Sequence, residues 1–170
     1  ALSDGAAFLT AETMKAVADR TPIMSRLKRS YPIYGKTGTT NWGEEGKQYG
    51  IEKGERKDRL LLTGTDRFSM ATWTGFDAET VLNPKQNAYF TKHEVSYQLH
   101  SKVNKFILDV LDSEYGKGKA IPRPNSVEEI TYILGTYPYA RPITGMNDSL
   151  ITKALIKKEA ASLVDYTPPT

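Results

Sequence analysis

The sequence predicts a mixed α+β fold, of the α/β class in the broad sense, in which an antiparallel sheet is flanked by helices. Strands are expected in residues 31–42, which contain β-branched threonines and aromatic residues, and in residues 59–65 and 68–76, which are rich in Leu, Thr, Met and Trp. Helices are expected where apolar residues recur every three or four positions, in residues 3–19 and 91–111. Only Asp66 and Arg67 separate the second and third strands, which is short enough for a tight antiparallel hairpin.

Composition excludes several classes of protein. The chain has 170 residues, and 23 Lys and Arg against 20 Asp and Glu give a formal net charge of +3. So small a surplus predicts no nucleic-acid partner. The absence of Cys excludes a disulfide scaffold and a thiol nucleophile. No apolar run approaches the ~18 residues of a membrane span, and the sequence indicates no cofactor and no metal site.

The first helix is expected to begin at Ser3 or Asp4, because either side chain can cap it. It is expected to end before Thr21, since the residue preceding a proline, here Pro22, is disfavoured in the α conformation. The basic stretch that follows, residues 26–29, is interpreted as a solvated turn or a helical turn rather than as a binding patch.

The strand region contains two glycines, Gly35 and Gly38, and their missing side chains indicate that another part of the fold packs closely against the first strand. Residues 44–57 are charged and lack apolar periodicity, so they are predicted to form an exposed loop. Trp73 is expected to pack between the sheet and a helix, and Trp42 is a candidate to line a cleft.

The second helix has the clearest signal in the chain. Thr91 and Glu94 have the spacing of a capping box. The apolar residues that follow predict a narrow stripe lying on one face of the sheet: Val95, Leu99, Val103, Phe106, Ile107, Val110 and Leu111. The helix is expected to end at residues 115–118. His93 and His100 lie seven positions apart and are interpreted as surface residues rather than metal ligands.

The composition changes from residue 120 onward, where prolines, tyrosines and glycines predict an irregular extension. One short strand is expected at residues 130–134, and a last helix over residues 147–164. Residues 165–170 are expected to be frayed.

One motif carries chemistry: Lys36-Thr37-Gly38-Thr39, on the first predicted strand. Lys36 offers a fixed positive charge. Thr37 and Thr39, at positions i and i+2, present two hydroxyls on the same face, and Gly38 faces the opposite way. The Thr39 amide is placed to donate to an oxyanion. A strand of this kind could hold a peptide carboxylate and polarise its carbonyl.

Two other interpretations of this motif exist, and the sequence argues against the first. A phosphate-binding P-loop requires a glycine where this chain has Ser30, and a helix where the pattern predicts a strand. The simpler alternative is an ordinary threonine-rich strand that carries a surface lysine.

The surrounding residues resemble the penicillin-binding transpeptidases, and more closely the bifunctional class A penicillin-binding proteins. The resemblance extends over about residues 3–135. Its motifs are Gly35-Lys36-Thr37-Gly38-Thr39-Thr40, then Lys57-Asp58-Arg59-Leu60, then Trp73-Thr74-Gly75-Phe76-Asp77. It implies a penicillin-recognising serine transpeptidase or β-lactamase-like fold. Residues 1–118 then form the C-terminal part of the transpeptidase domain, and residues 119–170 form a C-terminal extension.

The resemblance also implies roles for the motif residues. Lys36 would act electrostatically on the substrate carboxylate and on the serine of the family's second motif. Thr37 and Thr39 would hydrogen-bond that carboxylate, and the Thr39 amide would supply one oxyanion donor. Gly38 and Thr40 complete the substrate-binding stretch. The predicted activity is crosslinking of peptidoglycan stem peptides through an acyl-serine intermediate, with β-lactams as mimics of the donor peptide.

The chain departs from the family where the nucleophile is concerned. The family places a Ser-x-x-Lys motif far upstream of the Lys-Thr-Gly strand, whereas the string at Ser25 and Lys28 ends only eight positions before Lys36. We interpret it as a chance match, and the near match Ser3-Asp4-Gly5 as a helix cap. The chain is therefore expected to supply the strand but not the nucleophile, which would lie on the N-terminal remainder of the same protein.

The family context implies a membrane-anchored whole protein at the extracytoplasmic face of the cell membrane of a Gram-positive bacterium, and it leaves open whether that protein also contains a glycosyltransferase. Two alternatives are open. One is a non-catalytic module of the same fold that binds wall polymer or a protein partner. The other is a fragment of a serine β-lactamase or carboxypeptidase.

Overall fold

A computed structural model describes residues 1–76 and 98–166. The fold is mixed α+β with antiparallel sheets and helices, as predicted. The chain divides into two compact units. One comprises Thr13–Ala120, and the other comprises Ala1–Glu12 with Ile121–Thr170.

Helix α1 spans Asp4–Arg20, within one residue of the prediction. Its first turn is capped as expected, because the Ser3 hydroxyl accepts a hydrogen bond from the Ala6 amide at 3.4 Å and the Asp4 carboxylate accepts one from the Gly5 amide at 2.6 Å.

A 3-10 helix, Pro22–Leu27, follows α1, so of the two alternatives predicted for this stretch the helical turn is confirmed and the solvated turn is wrong. Its Leu27 side chain is 1% exposed and belongs to the core. Arg29 donates to Asp112 at 3.1 Å and to Asp109 at 2.7 Å on a later helix. Lys28 is the exposed residue of this stretch, and the other three are buried or half-buried, so the segment is a packed element of the fold.

Three antiparallel strands form the sheet of the Thr13–Ala120 unit, in the order β1 (Tyr34–Asn41), β2 (Arg56–Gly64) and β3 (Ser69–Gly75). The predicted hairpin between the second and third strands is confirmed, with Leu61 opposite Thr72. The sheet therefore has the three strands that the sequence predicted, although β1 begins three residues later.

The connection between β1 and β2 is exposed along most of its length, as predicted, but it is not an irregular loop. Gly43–Tyr49 is a 3-10 helix, and β2 already begins at Arg56. Trp42 and Ile51 are buried against each other, with Phe76 beside them. Although the segment is rich in charged residues, the packing of Trp42 against Ile51 buries two large apolar side chains, which favours a folded conformation.

Residues opposite each other in an antiparallel sheet share a face. On β2, Arg59, Leu61 and Thr63 lie on what we call the inner face and are buried. Leu60 and Leu62 lie on the other, outer face, and are 36% and 44% exposed.

Helix α2, Leu99–Tyr115, covers the inner face and ends where predicted. Residues 91–97, with the predicted capping box and His93, lie outside the described residues. The predicted use of the apolar stripe is wrong. The residues of the helix that are buried are His100, Ser101, Asn104 and Leu108, whereas Leu99, Val103, Phe106 and Val110 are exposed.

Polar side chains can occupy the buried side of α2 because they are hydrogen-bonded there. The Thr63 hydroxyl donates to the Asn104 side-chain oxygen. The Asn104 amide donates to the Thr72 hydroxyl at 2.5 Å and to the His100 carbonyl at 2.8 Å. The Ser101 hydroxyl donates to the Ile23 carbonyl at 2.9 Å. These bonds fix the helix to the sheet and to the first 3-10 helix.

We expect Asn104→Ala to lower the free energy of unfolding by about 1–3 kcal/mol. The substitution leaves the buried hydroxyl of Thr63 without its acceptor and removes two further hydrogen bonds. Urea unfolding followed by circular dichroism measures this. Ser113→Ala, at an exposed position of the same helix, is the control and should shift stability by less than about 0.5 kcal/mol. Equal effects of the two substitutions would show that the Asn104 bonds contribute nothing.

The other unit contains a two-stranded antiparallel sheet of β4 (Val127–Ile133) and β5 (Ile151–Lys157). The first of these confirms the strand predicted at residues 130–134. The second replaces the predicted helix over residues 147–164, which is wrong. Apolar residues at Ile151, Ala154 and Leu155 mimic helical spacing, but cross-strand pairing with β4 determines the conformation. Residues 165 and 166 have no regular structure.

Candidate active site

All five residues of the predicted site lie on β1: Lys36, Thr37, Gly38, Thr39 and Thr40. Among the described strands, β1 pairs only with β2, so it is an edge strand of the sheet. An edge strand leaves one row of backbone amides and carbonyls available to a ligand.

The two hydroxyls of Thr37 and Thr39, hereafter the threonine pair, lie on the inner face. Thr37 is opposite Leu61 and Thr39 is opposite Arg59. Gly38 lies on the outer face, where a Cβ atom added to it would stand 3.3 Å from the Cβ of Leu60. Gly38 therefore allows β1 and β2 to pack tightly where a side chain would push against Leu60.

Lys36 lies on the outer face, opposite Leu62, and its side chain is exposed. Its ammonium donates a hydrogen bond to the Thr37 carbonyl at 2.7 Å. The charge is therefore held against the backbone of the edge strand itself.

Thr40 is separated from the threonine pair. Its hydroxyl donates to the Asp58 carboxylate, which also accepts a bond from the indole nitrogen of Trp73 at 3.0 Å. Trp73 does not pack between the sheet and a helix as predicted. It is 51% exposed on the outer face. Asp58 thus ties the three strands together at one end of the sheet.

Trp42, the candidate to line a cleft, is buried in the segment between β1 and β2, with the ammonium of Lys57 4.6 Å from its ring centre. Ser25 and Lys28 are exposed on and beside the first 3-10 helix. Neither lines the cavity beside the threonine pair.

That cavity has a volume of about 340 Å³. The threonine pair lines one wall, and Arg56, Arg59 and His100 line others. Arg59 and His100 are 6% and 3% exposed. Sequence reasoning missed both residues. Arg59 could have been found from the register of β2 against β1, which places it opposite Thr39. His100 could not, because no local pattern indicates which face of α2 is buried.

His100 was expected at the surface and is instead buried. Burial lowers the pKa of His100 below its usual value of 6.5, and the positive charge of Arg59 lowers it further. The imidazole is therefore neutral at pH 7. Its Nδ1 atom has no hydrogen-bond partner within residues 1–76 and 98–166, so one polar atom is buried beside the cavity without a protein partner.

Within the part of the chain that the structure describes, no group of three or more His, Cys, Asp and Glu side chains could hold a metal ion. None of the described helices has the length and apolar character needed to cross a bilayer. Comparison with protein-family profiles gives no match, and no curated protein matches the chain.

Proposed function

We propose that this chain is the C-terminal part of a penicillin-binding transpeptidase domain, which crosslinks peptidoglycan stem peptides through an acyl-serine intermediate. The observation that carries the proposal is the Lys36-Thr37-Gly38-Thr39 motif on an edge strand, with a cavity beside its threonine pair. The chain supplies the strand that binds the substrate, and the nucleophilic serine lies elsewhere in the same protein. The ligands are stem peptides and β-lactams, at the extracytoplasmic face of a bacterial membrane.

The reaction is an acyl transfer. The serine oxygen attacks the carbonyl carbon of the penultimate D-alanine, and its proton passes through a base to the departing terminal D-alanine. An amine of a second stem peptide then attacks the ester and releases the serine. Each attack places negative charge on the carbonyl oxygen, which a hydrogen-bond donor at that point stabilises.

The backbone of β1 supports such a role. Alternate residues of a strand direct their backbone groups toward the same edge. The Thr37 carbonyl accepts the Lys36 ammonium, so the Thr39 amide points toward that same edge. An amide there is suited to the oxyanion, while the nearby ammonium favours the negative charge that develops.

The exposed apolar surfaces of the Thr13–Ala120 unit also support the proposal. Leu60, Leu62 and Trp73 are exposed on the outer face of the sheet, and Phe106 on α2 is 69% exposed. Surfaces of this kind are usually covered in a complete protein. In the proposed function, the remainder of the transpeptidase domain packs against these surfaces and covers them.

The experiment is covalent labelling with a fluorescent penicillin, read on a denaturing gel. We expect the complete protein to be labelled at one site and the label to be blocked by unlabelled penicillin. The 170-residue chain alone should remain unlabelled. If the complete protein fails to react, the proposed function is wrong. Labelling of the chain alone would instead place the nucleophile among these residues.

A further inference from the structure

Three tyrosines in the unit that contains β4 and β5 form a connected group, hereafter the tyrosine cluster. Tyr132 lies on β4, and Tyr137 and Tyr139 lie in the connection between β4 and β5. The ring centres of Tyr132 and Tyr139 are 4.8 Å apart, and those of Tyr137 and Tyr139 are 6.0 Å apart. Both pairs meet edge to face, which is a favourable geometry for aromatic rings. Tyr137 is nonetheless 90% exposed, so most of its ring is accessible to a ligand.

Hydrogen bonds hold the backbone that carries the cluster. The Ile133 amide donates to the Ala140 carbonyl at 3.0 Å, and the Ala140 amide donates to the Thr136 hydroxyl at 3.0 Å. The Val164 amide donates to the Tyr139 carbonyl at 2.9 Å. An aromatic side chain has few rotatable bonds, and on a backbone held in this way it loses little conformational entropy when a ligand binds.

The segment that carries the cluster has little charge. Arg141 and Asp148 are the two charged residues among residues 130–152, whereas 25% of the whole chain is charged. Lys153, the next charged residue, pairs with Glu129 at 2.7 Å. By strand register this ion pair lies on the face of the two-stranded sheet opposite the tyrosine of β4. The surface is therefore matched in charge to a neutral ligand, and it lacks the clustered positive charge that attracts polyanions.

Aromatic rings combined with hydroxyls favour one class of neutral ligand, the carbohydrates. A sugar ring has a face of C–H bonds, which packs against the electron-rich face of an aromatic ring, and a rim of hydroxyls, which exchange hydrogen bonds with other hydroxyls. Each tyrosine of the cluster offers both groups. Thr152 lies opposite Tyr132 on the same face of the sheet and adds a further hydroxyl.

A proline-rich peptide is the other neutral ligand that aromatic surfaces bind, but it docks in a groove lined by aromatic side chains. The adjacent rings of the cluster are inclined to each other by 64° and 84°, so no two of them stand side by side as the walls of such a groove. The geometry favours a sugar over a proline-rich segment.

We propose that the tyrosine cluster binds the neutral sugar chain of peptidoglycan, with the ring of Tyr137 packed against the face of one sugar. The choice of this particular chain rests on the proposed function, whereas the binding of a neutral sugar rests on the cluster itself. The motif on β1 then acts on the stem peptide, and the tyrosine cluster holds the glycan to which that peptide is attached.

The test uses the complete protein and chitotetraose, a neutral chain of N-acetylglucosamine, that carries a photoreactive group. This probe has no peptide, so it does not compete for the transpeptidase site. After irradiation, the labelled residues are identified by mass spectrometry, and half-maximal labelling of residues 130–152 reports the affinity of this surface alone.

Tyr137→Ala is expected to weaken this labelling about tenfold or more, whereas Tyr137→Phe, which keeps the ring, should weaken it about threefold or less. The truncation should leave the fold intact, because the side chain is exposed. The control is Tyr115→Ala, the same change at a 62% exposed tyrosine of the Thr13–Ala120 unit, which should leave the labelling unchanged.

Salt provides a second readout. Because the proposed ligand is neutral, its affinity should change by less than about twofold between about 0.05 M and about 0.5 M sodium chloride. A steep loss of labelling with salt would mean that charged groups bind the probe, and it would contradict the inference.

The remaining outcomes distinguish this inference from the proposed function. Labelling of residues 130–152 that depends on Tyr137 supports the sugar site even if the complete protein fails to react with penicillin. Labelling that is absent from these residues, or equal in Tyr137→Ala, overturns the inference even if penicillin reacts. Self-association that Tyr137→Ala abolishes, without sugar labelling, would overturn it as well and assign the cluster to an interface between copies of the protein.

Discussion

Lys36→Ala in the complete protein is expected to slow acylation by a fluorescent penicillin on the order of 10²-fold to 10³-fold, the range found when one electrostatic contact to a developing oxyanion is removed. The ammonium is held 2.7 Å from the Thr37 carbonyl, on the edge strand whose Thr39 amide is the proposed oxyanion donor. The rate of labelling at several penicillin concentrations measures the effect, and saturation separates binding from the chemical step.

The control is Lys47→Ala. This lysine is exposed and pairs with Glu44 in the 3-10 helix after β1, so its removal leaves the net charge equal to that of the Lys36 variant. We expect its labelling rate to match that of the unmodified protein. Near-normal labelling of Lys36→Ala would remove this residue from the site. The hydroxyls of the threonine pair and the Thr39 amide would then have to account for recognition alone.

Leu61→Ala is expected to lower the free energy of unfolding by about 2–5 kcal/mol. Leu61 has no exposed surface and packs in the cluster that includes Leu27 and Leu108, between the sheet and the helices. Its truncation both loses buried apolar surface and leaves a cavity that a closely packed core cannot refill. Urea unfolding of the chain, monitored by tryptophan fluorescence and circular dichroism, measures the loss.

Leu62→Ala provides a matched control, because it is the same substitution one position along the same strand. Leu62 lies on the outer face and is 44% exposed, so we expect a loss of less than about 1 kcal/mol. A cost for Leu62→Ala as large as that for Leu61→Ala would mean that the assigned faces of β2 are reversed.

Much of the sheet could be predicted because its signals are local. The stretches rich in Leu, Thr, Met and Trp and the two-residue link at Asp66 and Arg67 predicted β2 and β3. Period-two alternation placed the threonine pair on one face. Proline at position 22 marked the end of α1. Each of these features depends on neighbours in the sequence, so the sequence was sufficient to find it.

The errors share one physical cause, which is tertiary contact that overrides a local pattern. Apolar spacing predicted the wrong buried side of α2, because Asn104 satisfies hydrogen bonds that only the folded sheet provides. Spacing also predicted a helix where β5 pairs with β4. The register of β2 against β1 places Arg59 in the candidate site, and the orientation of α2 about its axis places His100 there. Neither is encoded in a short stretch of sequence.

The burial of Asn104 has a consequence for how α2 finds its place. If hydrophobic burial alone set its orientation, the helix would turn its apolar stripe toward the sheet. That stripe consists of Leu99, Val103, Phe106 and Val110. The rotation observed instead is the one in which Asn104 meets Thr63 and Thr72. A hydrogen bond depends on the relative orientation of its donor and acceptor, whereas hydrophobic contact has no such directional requirement. We interpret Asn104 as the residue that selects a single orientation of the helix about its axis. In this orientation the apolar face of α2 is exposed and can contact another part of the complete protein.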